Sequence, residues 1–188
     1  KNEGGATLSI DNKNLYFTSC SKLGSYNNCD IFKVQKKDGK WLNVKAFGDR
    51  INSSDSWESQ PSVSVDGNSI IFASDRKGGY GGIDLYIINR DINGVWSKPK
   101  NLGPVINSKV NEKSPFIHVD NQTLFFSSER FPSIGGYDIF YSRKDSSGNW
   151  QEPKNIGYPI NTVSDEIALF VSTDGSTAYF SSNQLEIC

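Results

Sequence analysis

Glutamates and arginines recur at a constant spacing along this chain, and charged residues of these two types are common in binding sites. Glu58, Glu112 and Glu166 are spaced by 54 residues, and a ring of such carboxylates could hold a cation or a basic segment of a partner. Arg76 and Arg130 share this spacing, and an arginine fork can clamp a carboxylate. Alternatively, these groups are scaffold parts, the glutamates pairing with the arginines or accepting hydrogen bonds from turn N–H groups.

Aromatic residues provide a second set of candidates. Trp57 lies outside the repeating pattern, and Tyr80, Phe131 and Tyr158 fall in loops. Exposed aromatic residues are enriched in binding hot spots, although a loop aromatic can equally pack on its own repeat. The candidate partner-binding residues are therefore Trp57, Glu58, Glu112, Glu166, Arg76, Arg130 and Tyr80.

The sequence shows no pattern typical of catalysis. His118 is the single histidine and cannot build a histidine metal cluster, and no Gly-x-Ser-x-Gly elbow is present. The glycines from Gly78 to Gly82 precede a predicted strand, whereas a phosphate-binding loop requires a helix N-terminus. We therefore predict that the chain is not an enzyme and has no cofactor and no metal site.

A repeating unit positions all these residues. The units share turn aspartates, strand phenylalanines and tryptophans at a period of 54 or 55 residues: Asp11, Asp66, Asp120 and Asp174; Phe17, Phe72, Phe126 and Phe180; Trp41, Trp96 and Trp150. Such self-similarity indicates a repeat architecture. We predict one domain over 1–188, with repeats 6–60, 61–114 and 115–168 and a half repeat 169–188.

Each unit divides into four short strands. The tight turn Asp66-Gly67 follows the first strand, and the second carries Ile70, Ile71 and Phe72 in succession, which predicts burial on both faces. The fourth opens on Trp96 and carries Pro99, so it should be a sheet edge, with the repeat tryptophans packed under the rim.

Such units predict an all-β propeller of four-stranded antiparallel blades. A solenoid of stacked units is the alternative, but solenoids use shorter repeats or helices. About three and a half blades are present, and closure predicts a larger ring of about six blades.

The composition of the chain limits which classes of partner and which cellular compartment can be expected. The net charge of -1 provides no basic field to attract the phosphates of nucleic acid, so a nucleic-acid partner is not expected. The sequence contains no run of 18 apolar residues, so no membrane span is predicted. The chain has no methionine, which suits a processed or excised piece with any export signal outside it.

Cys20 and Cys29 bracket one short loop, and Cys188 ends the chain. A bridge between the first two would remove unfolded-state entropy worth about 2–4 kcal/mol and would indicate an oxidising compartment. The alternative is two ordinary small residues.

Longer motifs resemble a known family. Ser74-Asp75-Arg76, Asp84-Leu85-Tyr86, the segment from Trp96 to Gly103, and Ile106-Asn107-Ser108 resemble the WD40-like PD40 repeat. The Trp-x-x-Pro-x-Asn-Leu-Gly version is similar to propellers beside tetratricopeptide and OmpA-like domains in Bacteroidota-type envelope proteins, some of them components of type IX secretion. Propellers of the TolB type share a shorter core of the motif.

The resemblance implies a protein-interaction scaffold of the periplasm, associated with the outer membrane and binding protein partners of the cell envelope. Peptidoglycan would be bound only through an OmpA-like domain that this sequence lacks. The first unit departs from the motif, with Cys20-Ser21 in place of Asp-Arg and Val44 in place of the rim proline, and the fourth has Asn183-Gln184. A carbohydrate-binding or carbohydrate-active propeller is the alternative function, because paired carboxylates and loop aromatics also suit sugars.

Overall fold

The chain folds into β-strands joined by short loops. The structure, a computed structural model, describes residues 2–23, 26–48 and 51–184, so Cys188 lies outside the described residues. The strands are β1 (Asn2–Leu8), β2 (Asn14–Leu23), β3 (Tyr26–Lys37), β4 (Lys40–Ala46), β5 (Glu58–Val63), β6 (Ser69–Ser74), β7 (Asp84–Asn89), β8 (Lys100–Asn101), β9 (Glu112–Ile117), β10 (Thr123–Ser128), β11 (Asp138–Arg143), β12 (Lys154–Asn155), β13 (Glu166–Val171) and β14 (Ala178–Ser182).

These strands form one antiparallel sheet per repeat. Three sheets have four strands, in the orders β1-β2-β3-β4, β5-β6-β7-β8 and β9-β10-β11-β12, and the fourth has β13 paired with β14. The first strands of successive sheets contact one another, β1 with β5, β5 with β9 and β9 with β13. The predicted all-β fold, a partial propeller with four-stranded antiparallel blades, is confirmed.

The second strand of each central blade forms the core between blades. Ile70 and Phe72 of β6 pack in one cluster with Tyr16 and Ile31 of the first blade, whereas Ile71 and Ala73 pack in a second cluster with Leu124 and Phe126 of the third. Alternate side chains of one strand therefore face opposite neighbours, as the apolar triplets predict. Each buried large side chain contributes about 1.5–3 kcal/mol to the free energy of folding.

The outer strands differ from the prediction. In the second blade the strand is only Lys100–Asn101, and Trp96 joins the sheet through an isolated bridge to Arg90. The strand is not continuous from Trp96 to Asn101 because Pro99 lies between these two residues and has no N–H to donate.

In the first blade, where Val44 replaces the proline, β4 is a seven-residue strand. Its tryptophan, Trp41, is exposed instead of packing under the rim. Trp96, by contrast, packs against the first core cluster, with its ring centroid 5.5 Å from that of Phe47.

The first blade also has the longest central strands. β2 and β3 pair from Asn14 to Leu23 and from Tyr26 to Gln35, and a disulfide joins Cys20 to Cys29 directly across this hairpin. The glycine-rich loop of the other blades is thus replaced by an extended, cross-linked hairpin.

The inner strands carry a bulge at a fixed position. Gly5, Gln60, Ser114 and Ala168 have positive φ there, which turns the backbone N–H sideways. The Gln60 N–H donates to Thr18 Oγ1 at 3.0 Å, and the Ser114 N–H donates to Gln60 Oε1 at 2.9 Å. These bonds connect neighbouring blades along the axis.

Three inner strands begin at the recurrent glutamates, so the predicted repeat starts at 61, 115 and 169 lie inside the strands. Within residues 2–23, 26–48 and 51–184, no helix has the length and apolar character needed to cross a membrane.

Candidate functional site

The candidate site is the end of the blades at which the longer loops meet. Glu58 at the start of β5 lies opposite Ser74 at the end of β6, and Glu112 is placed in the same way opposite Ser128. Loops leaving the second strand and loops entering the inner strand therefore emerge together. We call this end the loop face, formed by 75–83, 102–111, 129–137 and 156–165.

A chain of buried polar side chains fixes the loops of the second blade. The Asp84 carboxylate accepts hydrogen bonds from the Tyr80 N–H at 2.6 Å and from the Asn101 side-chain amide at 2.7 Å. Asn101 in turn accepts from the Asn107 amide at 2.7 Å. Asn107 pairs with both backbone groups of Leu85, at 2.8 and 3.0 Å. One network thus holds both loops of this blade.

The third blade repeats this network. Asp138 accepts from the Ile134 N–H at 2.6 Å and from the Asn155 amide at 2.7 Å, and Asn161 pairs with both backbone groups of Ile139. Asp138 and Asn161 are fully buried. Buried polar groups with all partners present make a rigid platform.

The first blade has only part of the network. Asn52 pairs with both backbone groups of Ile31 at 2.9 and 3.0 Å, but Ala46 occupies the position of the bridging asparagine. Burial, followed by the nearby Glu58 charge, raises the pKa of the Asp30 carboxyl above its ordinary value.

The recurrent glutamates lie beneath the loop face. Glu58 is fully buried and accepts hydrogen bonds from the Ser53 N–H at 2.8 Å, the Ser74 hydroxyl at 2.9 Å and Arg76 at 3.0 Å. Glu112 and Glu166 are equally buried. The three carboxylates are inaccessible and already accept several hydrogen bonds, which favours the scaffold interpretation of these glutamates over direct partner binding.

Both candidate arginines point inward. Arg76 donates to the Ile51 carbonyl at 2.7 Å, and its Cζ atom lies 5.0 Å from the centroid of the Tyr86 ring. Arg130 likewise donates to the Ile106 carbonyl and to Glu112. Both guanidinium groups make internal ties instead of presenting a free clamp, which favours the scaffold interpretation of the two arginines.

The two candidate aromatics have different environments. Trp57 is half-buried and packs against the core cluster between the second and third blades. Its backbone N–H donates a hydrogen bond to the Asp75 carboxylate at 2.7 Å. Tyr80 is half exposed, and its backbone is anchored by Asp84. Of the predicted partner-binding residues, Tyr80 therefore presents the most accessible aromatic ring.

Other exposed apolar side chains lie on the two loops of the third blade. Phe131 is 92% exposed and Tyr158 is 83% exposed, and Ile134 and Val163 are also exposed. We call these four residues the apolar loop cluster. Phe131 and Tyr158 were recognised from the sequence as loop aromatics, whereas Ile134 and Val163 were missed.

Backbone contacts bring the two loops of this cluster together. The Asn155 amide donates to the Pro132 carbonyl at 3.2 Å, and a Cβ on Gly135 would collide with the backbone of 162–164. The pair Gly135-Gly136 was the available sequence signal, because glycine marks places where backbone segments approach closely.

Polar groups border this cluster on the side of the inner strands. The Lys113 ammonium lies 3.4 Å from the centroid of the Tyr137 ring, and the Asn111 amide donates to Glu129 at 2.7 Å. Burial lowers the pKa of Lys113, opposed by the charges of Asp165 and Glu129. The position of Lys113 in the repeat is occupied by Ser59 in the second blade, so the contact of a lysine with a tyrosine ring is not repeated there.

In the part of the chain that the structure describes, no group of three or more His, Cys, Asp or Glu side chains could hold a metal ion.

Comparisons with known proteins identify the fold. No protein-family model and no curated protein matches the chain. Among solved structures, TolB from Acinetobacter baumannii matches with 16% identity and a TM-score of 0.60, over 95% of this chain and 37% of that chain. A putative TolB from Agrobacterium tumefaciens matches with 17% identity and a TM-score of 0.59, over 98% and 60%. These similarities show that the chain has the fold of part of a β-propeller. The chain spans less than two thirds of either TolB chain.

The same comparisons correct one prediction. An endo-arabinase from Bacteroides thetaiotaomicron matches with 16% identity and a TM-score of 0.56, over 97% of this chain and 74% of that chain, and prolyl endopeptidases match as well. The prediction that the chain is not an enzyme, which was drawn from the absence of catalytic motifs, is therefore wrong, because enzymes contain blades arranged in the same way.

Proposed function

We propose that this chain is a protein-interaction module of a bacterial cell-envelope protein, and that its partner binds at the loop face. The observation that carries the proposal is the apolar loop cluster. Its four large apolar side chains stay exposed on two loops that lie side by side, and exposed apolar groups of this kind are typical of interaction sites. Large exposed aromatic anchors are the side chains that dominate protein-protein binding energies.

The loops are built for recognition without rearrangement. The buried Asp138 and Asn161 networks fix the backbone on both sides of the cluster, so little conformational entropy would be lost on binding. Preorganisation of this kind improves affinity because fewer loop and side-chain conformations must be frozen. Exposed Glu129 and half-buried Lys113 beside the cluster provide a polar rim of the kind found around interface cores.

The proposed compartment is the periplasm, at the outer membrane. The Cys20–Cys29 disulfide favours an oxidising environment, and the resemblance to PD40 repeats of OmpA-family and type IX secretion-associated proteins favours the envelope. The TolB-like fold agrees with such a location.

The test is affinity capture from envelope extracts with quantitative mass spectrometry. The double variant Phe131→Ser with Tyr158→Ser should lose the captured partner, and purified partner should then bind the wild-type protein and not the variant. Ile92→Ser is the matched control, because Ile92 is fully exposed in a hairpin at the opposite end of the blade and its loss should change nothing. Unchanged capture by the double variant would refute the loop face as the site.

The carbohydrate alternative is tested with the same proteins. Binding of a purified cell-wall polysaccharide that depends on Phe131 and Tyr158, without any protein partner, would replace the proposed function by a carbohydrate-binding one.

A further inference from the structure

The outer edge of the first blade differs from the edges of its neighbours. Strand β4 lies at the end of its sheet, spans seven residues, and every one of them is exposed. The equivalent strands β8 and β12 have two residues each and follow a proline. Only the first blade, within the residues described, therefore offers a full-length outer edge with main-chain groups available for pairing.

Positive charge is concentrated on this edge. Residues 33–45 contain five lysines and one aspartate, a net charge of +4, whereas the equivalent residues 87–100 carry +2 and residues 141–154 carry +1. The whole chain has a net charge of -1. None of the five lysines forms an ion pair with a residue the structure describes.

The pairing of β3 with β4 places these lysines against one another. Lys33 lies directly opposite Lys45, and Lys37 lies directly opposite Lys40. Like charges in opposite positions of two strands destabilise the pair. Two such pairs in one hairpin are an unfavourable arrangement that a bound anion would relieve.

Apolar groups accompany the charges. Trp41, Leu42 and Val44 are exposed along β4, and the Lys36 ammonium lies 5.5 Å from the centroid of the Trp41 ring. At the turn end of the hairpin, a cleft of about 290 Å³ is lined by Lys13, Lys36, Lys37 and Leu42 among others. The surface thus combines cationic and apolar contacts along a strand edge.

From these observations we infer that the outer edge of the first blade docks an extended, acidic peptide segment, which pairs with β4 and places its carboxylates beside the lysines of that strand. We call this surface the first-blade edge, β4 with Lys33, Lys36 and Lys37. Addition of a peptide strand to an exposed sheet edge is a recurring recognition mode, in which main-chain bonds give affinity and side chains give specificity.

The structure disfavours a second copy of this chain as the occupant. The lysines along this edge would repel the identical, positively charged edge of a second copy. Acidic side chains on the incoming strand remove that repulsion. The site is separate from the loop face, so it goes beyond the proposed function.

The probe is a fluorescein-labelled, eight-residue peptide that alternates glutamate and valine, and its binding is followed by fluorescence anisotropy at low ionic strength. It should bind the wild-type protein, and the corresponding lysine-valine peptide should not. The double variant Lys40→Glu with Lys45→Glu should weaken binding at least about tenfold. Val44→Pro, which installs the proline of the other blades, should also weaken binding about tenfold.

The matched control is Lys98→Glu with Lys100→Glu, the same charge reversal beside Pro99 of the second blade, which should change affinity less than about twofold. Phe131→Ser with Tyr158→Ser should leave peptide binding intact, which separates this inference from the loop-face proposal. Circular dichroism verifies folding, and if Val44→Pro unfolds, the two charge reversals decide the question.

Three results would overturn the inference. The first is that the acidic peptide does not bind, and the second is that the first-blade and second-blade charge reversals weaken peptide binding equally. The third is that anionic phosphatidylglycerol vesicles bind more tightly than the peptide and that Lys40→Glu with Lys45→Glu abolishes this binding. The last result would assign the lysines to a lipid surface.

Discussion

Arg130 should be one of the most sensitive positions for stability, because it neutralises a buried carboxylate. Its guanidinium donates to Glu112 at 3.2 Å, and the Glu112 side chain is fully buried. Arg130→Met keeps an unbranched side chain and removes the charge. Loss of one partner of a buried ion pair costs about 3–5 kcal/mol. The low end is expected, about 3 kcal/mol, because Glu112 retains the Ser108 and Ser128 donors.

The measurement is urea unfolding followed by tryptophan fluorescence, with a melting temperature as a second readout. For a chain of this size, a loss of about 3 kcal/mol should lower Tm by roughly 6–12 °C. Arg143→Met is the matched control: the Arg143 side chain is 62% exposed, against 10% for Arg130, and lies 3.9 Å from Asp120. Its loss should cost less than about 1 kcal/mol.

A second substitution tests the cause. Glu112→Gln in the Arg130→Met background removes the stranded charge and should recover at least about 1 kcal/mol. Equal losses for Arg130→Met and Arg143→Met would refute the reasoning, as would a double variant less stable than Arg130→Met alone.

Three further predictions concern the network, the first blade and its disulfide. Asn107→Ala removes the amide that pairs with both backbone groups of Leu85 and should cost about 2–4 kcal/mol in urea unfolding; a loss below about 0.5 kcal/mol would show that the network is dispensable. Asp30 has a raised pKa, caused first by burial and then by Glu58, so the folded state holds its proton more tightly and ionisation costs stability as the pH rises above 3.8. Asp30→Asn should therefore raise Tm at neutral pH, with a gain that disappears below pH 3.8; a gain that grows in acid would contradict this sign. Cys20→Ser opens a loop with a sequence separation of 9 and should cost about 2–3 kcal/mol, a difference that reductant should abolish in calorimetry.

The strands were predictable because their signal is local. Three successive apolar residues such as Ile70, Ile71 and Phe72, closed by turn residues, specify a strand covered on both faces. The short outer strands were less predictable. A single Pro99 overrides the strand tendency of the residues after Trp96, and only the pairing with β7 shows where the ladder resumes.

The candidate site was harder to predict because burial decides it. Glu58 and Arg76 are compatible with a surface clamp or with an internal tie, and the choice depends on how adjacent blades pack. Asn107 shows the same limit: its motif repeats in the sequence, but its partner Leu85 is 22 residues away. The exposed Ile134 and Val163 were missed because no pattern distinguishes an exposed aliphatic loop residue from a buried one.

The departures of the first blade can be understood as one change. With Ala46 in place of the bridging asparagine, the loop network of the first blade has lost one of its members, and β2 and β3 instead continue as a hairpin closed by the disulfide. With Val44 in place of proline, the outer strand also pairs along most of its length. In both places the first blade has a longer main-chain ladder than the second blade. A longer ladder leaves a longer unpaired edge, which is why the blade that departs most from the repeat is also the one whose edge can accept another strand.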